Sequence, residues 1–409
     1  MKILHIIGYF QPELGYEEYY TAMNQVKMGH DVHVITSDMI FPFKNVEKML
    51  KQSGSKYKTR KRKVGFSKVD GIKVYRLPHY LEYMDCIFVR GMKKHICKID
   101  PDIIHVHEPK QGTGFQGVYH AKDRYPIVID SHDCGLINTD VYILDKSLRS
   151  LKALVIRYEY YGFRKRLANY SFKRTKHIIA PVKCVVDFLD WVYGIKGKKV
   201  RYVPLGADSS VFYPDNRKRK KIRKKLDIGD DEVVITTSGI MSERKRIDVL
   251  IKTFHKLQKD HKIRLLIIGE GSEEYVGSLK DLVKRLKLKG KVTFAGFLSK
   301  EVLNEYLNAS DIGAWVANNS VSMIEAMACG LPVIIPEMQF HEPATYGNGF
   351  IFPKNDFRRF EDYLKKLVEN PELRKKMGKN SLDAVERDLS YVAYTKKILD
   401  IYEERLKRK

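Results

Sequence analysis

Short apolar runs rich in β-branched residues alternate with longer segments of helical spacing along this chain, and the alternation runs through twice. In the first series Lys2 to Tyr9, Asp31 to Thr36, Asp102 to His107, Pro126 to Ser131 and His177 to Ala180 are expected as strands. Helices are expected between them around Glu17 to Met28, Phe115 to Lys122 and Ser147 to Phe172. The second series places strands at Glu232 to Gly239, Arg264 to Gly269, Lys291 to Ala295, Asp311 to Val316 and Pro332 to Ile335. Its helices are expected at Asp248 to Lys259, Glu274 to Lys287, Lys300 to Ala309 and Met323 to Cys329. Strand, helix and strand in succession close most simply as parallel βαβ units, so each series predicts its own parallel sheet covered by helices.

The expected class is therefore α/β, with two Rossmann-like domains in tandem. A length of 409 residues gives each domain enough chain for its own core and excludes a single small module. Pro204 and Gly206 end a strand where the first series stops, so residues 1–205 are read as the first domain and 206–389 as the second. Beyond Phe352 the pattern is helical only, and Pro371 separates one helix from the next. Tyr391, Tyr394 and Tyr402 recur at near-helical spacing, and residues 390–409 are expected as a helix returning to the first domain.

Lys and Arg number 75 against 50 Asp and Glu, a formal charge of +25 carried by a chain that is 44% hydrophobic. That balance is a folded protein with a basic surface, not a disordered tail. Gly8, Pro12 and Glu13 cut the first apolar run short, so it reads as a buried strand and not as a signal peptide. No run approaches the ~18 apolar residues of a membrane span. The five cysteines form no CxxC pair, which suits a reducing, cytoplasmic compartment.

Excess positive charge suits nucleic acid, an anionic membrane surface or a phosphorylated small molecule. Two basic runs stand out, Lys56 to Lys63 and Arg217 to Lys225. Each reads either as a solvated loop or helix face, or as a patch adhering peripherally to anionic lipid at the inner face of the cell membrane. Neither is organised for base stacking or groove reading, which argues against nucleic acid.

In doubly wound sheets ligands collect at the carboxyl ends of the strands, where helix N-termini offer unpaired N–H groups. In the loop Gly8 to Glu17, Gly15 is expected at the start of the first helix, where it either admits a phosphate or sugar close to the backbone or simply permits a tight turn. Ser238 to Arg246 follows the first strand of the second series and carries Arg244, Lys245 and Arg246 in succession, a set suited to a diphosphate. Ala317 to Pro332 leads small polar residues into a short apolar helix with one acid, Glu325. A carboxylate among Met, Ile and Ala needs hydrogen-bond donors, from the backbone or from ligand hydroxyls.

The segment Glu325-Ala-Met-Ala-Cys-Gly-Leu-Pro-Val333 closely resembles the motif of glycosyltransferase family 4. Pro12-Glu-Leu-Gly-Tyr16, Gly29-His-Asp-Val-His-Val-Ile-Thr36, Pro101-Asp-Ile-Ile-His105, Val203-Pro-Leu-Gly-Ala-Asp208 and Leu266-Ile-Ile-Gly-Glu-Gly271 resemble its other landmarks, in its order, along the whole chain. The resemblance implies the GT-B architecture, two Rossmann-like domains facing across a cleft with a C-terminal helix returning to the first. It implies a retaining transfer from a nucleotide-diphosphate sugar to a glycan or lipid-linked acceptor, in cell-envelope polysaccharide or glycolipid synthesis, with no separate cofactor and no obligatory metal. Carried over residue by residue, it makes His132, Lys245 and Glu325 the catalytic set: His132 near the transferred sugar, Lys245 on the diphosphate, Glu325 on the ribose hydroxyls. Donor binding falls to Gly15, Gly239, Arg244, Asn318, Asn319, Ser320, Val321 and Ser322.

Two positions depart from the family pattern. The first of two glutamates separated by seven residues is replaced by Ala317, and the Arg that usually follows the glycine at Gly239 is replaced by Ile240. Arg244 is the substitute expected on the phosphate, and Asn318 or Asn319 the substitute on the sugar. The departures also motivate two rival readings, a non-catalytic sugar-nucleotide binder and a sugar-nucleotide epimerase of the same architecture.

Overall fold

The computed structural model describes residues 1–42, 46, 50, 59–83, 85–121, 123–133, 136–138, 141–142, 158, 160–317, 321–337 and 346–407. The chain divides into two compact units, Met1–Pro204 with Tyr394–Lys409, and Leu205–Ala393.

The first unit contains strands β1 (Lys2–Ile6), β2 (Asp31–Ser37), β3 (Gly65–Val69), β4 (Ile72–Leu77), β5 (His79–Tyr83), β6 (Cys86–Val89), β7 (Ile103–His107) and β8 (Ile127–Asp130). It continues with β9 (Leu136–Asn138), β10 (Val141–Tyr142), β11 (Ile178–Ala180) and β12 (Val200–Tyr202). Eight of these form one sheet in the order β12-β11-β8-β7-β1-β2-β4-β3. All its pairings are parallel except β3 with β4, which closes a hairpin through Asp70 and Gly71, both at positive φ (46° and 84°). An Asp-Gly pair between facing strands favours such a two-residue turn. The central strands β1, β7 and β8 are almost wholly buried, which is why they read as unbroken apolar runs rather than alternating ones. Helices Glu17–Lys27, Met92–Ile99, Gly112–Ala121, Lys165–Phe172 and Lys183–Tyr193 belong to this unit. The C-terminal helix Tyr391–Lys407 joins it from Tyr394 onward. Residues 147–157, where the long expected helix begins, lie outside the described residues.

The second unit holds β13 (Val233–Ser238), β14 (Ile263–Ile268), β15 (Val292–Gly296), β16 (Ile312–Ala314), β17 (Val333–Pro336) and β18 (Gly349–Phe352). They form a fully parallel sheet in the order β15-β14-β13-β16-β17-β18. Helices Ile247–Leu257, Glu273–Arg285, Lys300–Asn308 and Ser322–Ala328 make the successive crossovers. Their starts are set by local chemistry: Ser272 and Ser299 each accept a backbone N–H three residues on, from Tyr275 and Val302. Phe254, Leu265, Ile267, Ile334, Phe360 and Leu364, all fully buried, pack on one face of the sheet.

The basic run Arg217 to Lys225 forms most of helix Asn216–Lys225, which starts on Asp215 as its cap. It is not simply a solvated face. Arg223 is buried, donating to the carbonyls of Ala309 (3.1 Å), Gly229 (2.7 Å) and Glu232 and to Asp311 (3.2 Å), while Arg219 donates to Asp311 at 2.7 Å. Arg217, Lys220, Lys224 and Lys225 remain exposed. Part of the other run behaves similarly, since Arg62 is buried and donates to Glu13 at 2.6 Å.

Candidate functional site

Among the parallel strands of each sheet the order reverses at one place, between β1 and β7 in the first unit and between β13 and β16 in the second. Loops leaving adjacent strands there run in opposite directions and open a crevice at the strand carboxyl ends. The sequence-expected site residues that are described lie in loops and helix starts leaving these sheets at that end.

In the second unit β13 ends at Ser238, and Gly239 follows at φ 123°, its N–H donating to Ile268 O at 3.0 Å. The chain then makes a turn over Glu243–Lys245 before helix Ile247–Leu257. Arg244 and Lys245 are thereby placed, half-buried, at the carboxyl end of the sheet. Burial, and then the neighbouring Arg244, push the Lys245 ammonium down to about 8. Ile240 is 78% exposed.

From the β16 side, buried Trp315 donates Nε1–H to Ser238 O at 3.1 Å and Ser322 Oγ donates to the same oxygen at 3.0 Å. This ties the start of helix Ser322–Ala328 to the end of β13. Val321 lies just before that helix and accepts from Ile324 and Glu325 N–H at 2.8 and 3.2 Å. Glu325 sits one turn in, half-buried. Burial pushes its carboxyl up to about 7, Lys300 opposing the shift and Asp208 adding to it. Asn318, Asn319 and Ser320 lie outside the described residues.

In the first unit the loop after β1 makes a turn over Pro12–Leu14 closed by Gly15 in the left-handed region, φ 63°, and the helix begins only at Glu17. Gly15 thus ends a turn instead of opening the helix, a geometry that favours glycine there whatever binds nearby. A pocket of about 280 Å³ opens beside this loop, lined among others by Gly8, Tyr9, Tyr16, Glu18, Glu108 and His132. His132 follows β8; its N–H donates to Glu108 Oε1 at 2.8 Å and its Nε2 lies 2.9 Å from Glu17 Oε2. Burial works against charge on this imidazole, but Glu17, with Asp130 and Glu108, outweighs it and holds His132 well above the usual range.

Beneath the pocket lies a closed ring of buried polar groups. His5 Nδ1 is 2.9 Å from His107 Nε2, and His5 Nε2 is 2.7 Å from Gln25 Oε1. Gln25 donates to Tyr402 OH at 3.4 Å, and Tyr402 OH is 2.6 Å from His105 Nδ1. His105 and His107 both face Asp130, at 3.4 and 2.6 Å. One proton assignment serves every contact: His107 doubly protonated, His5 and His105 neutral with hydrogen on Nε2, and Asp130 ionised. The electrostatics agree. Burial lowers His5 and His105, whereas Asp130 overrides burial to raise His107 and is itself held well below the carboxylate range by the same histidines. Since Tyr402 belongs to the C-terminal helix, the ring fixes that helix to the centre of the first sheet.

His107, Glu17, Glu108 and Lys300 escaped the sequence reading. The signal was available for His107: two histidines at alternate positions of an otherwise apolar central strand share one face and need buried partners.

Two such Rossmann-like units, each built on a parallel sheet, make the fold of GT-B glycosyltransferases. A family model described as Glycosyl transferases group 1 matches residues 218–383, and one described as Glycosyltransferase Family 4 matches residues 19–211. The chain belongs to glycosyltransferase family 4. It is 23% identical over 370 residues to N-acetyl-alpha-D-glucosaminyl L-malate synthase of Bacillus anthracis, covering 87% of this chain and 84% of that protein. Over 188 residues it is 28% identical to mannosylfructose-phosphate synthase of Agrobacterium fabrum, spanning 43% of this chain but only 41% of that one. Among solved structures, Anabaena Alr3699/HepE in complex with UDP superposes with a TM-score of 0.68 at 17% identity, covering 99% of this chain and 100% of that one. Among the described residues no helix is long and apolar enough to cross a membrane.

Proposed function

We propose that the protein transfers a sugar from a nucleotide-diphosphate sugar, held by the second unit, to a glycan or lipid-linked acceptor, with retention at the anomeric carbon. The observation that carries this reading is the pair of half-buried cations Arg244 and Lys245, set side by side in the turn that leaves the carboxyl end of β13. As the glycosidic bond breaks, the leaving nucleoside diphosphate gains negative charge, and preorganised cations and N–H groups lower that barrier. Lys245 and Arg244 meet this charge in place of a bound metal ion. Glu325 accepts from the ribose hydroxyls, and the residues around Ser322 orient the phosphates and sugar. The UDP bound by the Anabaena relative supports a nucleotide donor. The names of the relatives include a malate product and a phosphosugar product, so they leave the acceptor class open.

Half-buried Ala317 and exposed Ile240, where the family has Glu and Arg, favour a second reading of a binder without turnover. A thermal-shift screen with UDP-, GDP- and ADP-sugars, followed by product analysis, separates the readings. A ligand that binds only the native state raises the unfolding temperature by mass action. Stabilisation with nucleoside diphosphate release supports transfer, stabilisation alone supports the binder, and an isomerised sugar supports an epimerase.

A further inference from the structure

We propose that the first-unit pocket selects an uncharged, hydroxyl-rich acceptor, the end of a neutral sugar, and rejects acceptors presenting a phosphate or carboxylate. This rests on the transferase reading above and adds the chemistry of its acceptor.

Among the described residues the pocket wall carries four carboxyl groups, Glu17, Glu18, Asp85 and Glu108, and three bases, His107, Lys110 and His132, and Asp85 is paired from behind with Arg164 at 2.5 Å. Each base is already matched by an acid. His132 Nε2 lies 2.9 Å from Glu17, His107 Nδ1 lies 2.6 Å from Asp130, and Lys110 Nζ lies 3.2 Å from Asp133 and 3.9 Å from Glu108. An anionic ligand would have to take a base from a buried partner or lie against the carboxyls left over, Glu18 and Glu108, and either is costly.

What the wall offers instead is hydrogen-bond acceptors. Glu108 Oε2 is buried without a hydrogen bond, while Oε1 takes the His132 N–H. Glu18 faces the pocket half-buried; burial, and then the adjacent Glu17, push its carboxyl up to about 7, so near neutrality it serves as acceptor or donor. Sugar hydroxyls do both. Tyr9, Tyr16 and Phe41 add aromatic surface, Tyr9 and Phe41 meeting edge-to-face at 5.4 Å with the Tyr9 hydroxyl fixed on Glu82 at 2.9 Å. Aromatic faces with a few convergent carboxyls suit the apolar C–H face and polar rim of a pyranose. At about 280 Å³ the pocket lies just below the ~300–1,000 Å³ of drug-sized ligand sites and has room for a sugar-sized group.

The test measures binding of methyl α-glucoside, methyl α-mannoside and methyl N-acetylglucosaminide against the 6-phosphates of glucose, mannose and N-acetylglucosamine, by saturation-transfer NMR on the full chain. A Lys245→Ala background keeps phosphate out of the second-unit loop. Expected is that at least one neutral glycoside binds about tenfold or more tightly than its phosphate counterpart, and that Glu18→Lys, folded by thermal unfolding, narrows that ratio. Equal or tighter phosphate binding overturns the proposal, and so does the absence of binding by every neutral glycoside. Nucleotide-sugar thermal shifts on the wild-type chain are read separately. If a nucleotide sugar binds while phosphates are preferred, only the acceptor proposal fails; if none binds, the donor reading fails.

Discussion

Arg223→Met tests whether the basic helix is a surface ornament or a structural member. The methionine keeps much of the aliphatic stem but removes every donor of a buried guanidinium. Gly229 O keeps a bond from Glu232 N–H at 3.1 Å. Asp311 keeps Val234 N–H and Arg219, each at 2.7 Å. What is lost is the pairing with Asp311 and the donors to the Ala309 and Glu232 carbonyls. Removing one partner of a buried pair costs ~3–5 kcal/mol, and the lower end applies because Asp311 keeps a cation, giving about 3 kcal/mol. The readout is built into the sequence, which has two tryptophans. Trp315 is 1% exposed in the second unit, and Trp191 is 63% exposed in the first. In a Trp191→Phe background the emission of Trp315 follows second-unit unfolding alone. With a urea slope of roughly 2–3 kcal/mol/M, the midpoint falls by about 1 M. Lys224→Met, exposed on the same helix, is the control and changes stability by less than ~0.5 kcal/mol. A midpoint for Arg223→Met no lower than that of Lys224→Met refutes the reasoning.

Lys245 predicts a pH dependence of ligand binding: in the free protein it loses its proton as pH rises through about 8, so nucleoside diphosphate affinity falls above that pH, and calorimetric titration of Lys245→Ala shows weaker binding without the fall. The His132–Glu17 pair predicts a dependence of the opposite origin. His132 is raised in the folded state, so its stabilisation is complete below the unfolded value of about 6.5 and is lost as pH rises through the folded value. His132→Asn therefore lowers the unfolding temperature more at pH 6 than at pH 9, and an equal deficit at both refutes the pairing. For membrane adhesion, charge reversal of exposed Lys220 and Lys224 reduces cosedimentation with anionic vesicles, at ~1 kcal/mol per cation. Unchanged, salt-insensitive sedimentation rejects that role.

The doubled alternation was legible because strands buried on both faces must be apolar throughout, and because crossover helices space them regularly. β1, β7, β13 and β14 fall where the runs predict them. The antiparallel additions were not read: β3 and β5 are largely exposed, so their sequences lack a clear apolar period, although Asp70-Gly71 is a turn signal that was open to use. The loop proposed for the donor stands out in the sequence because one short segment holds Arg244 and Lys245 at a strand end. The pocket could not, since Glu17, Glu108 and His132 come together only through the order of the first sheet. Charge counting failed for the same reason at Arg223 and Arg62, where tertiary partners drew cations inward from runs that read as solvent-facing.

The most direct measurement is release of nucleoside diphosphate from a panel of UDP-, GDP- and ADP-sugars by the wild-type chain and by Lys245→Ala of equal thermal stability. Expected is release from one nucleotide class, slowed on the order of a hundredfold in the variant, the loss typical of one preorganised group on developing charge. Release that is as fast in Lys245→Ala, or a folded wild-type chain that neither binds nor cleaves any nucleotide sugar, contradicts it.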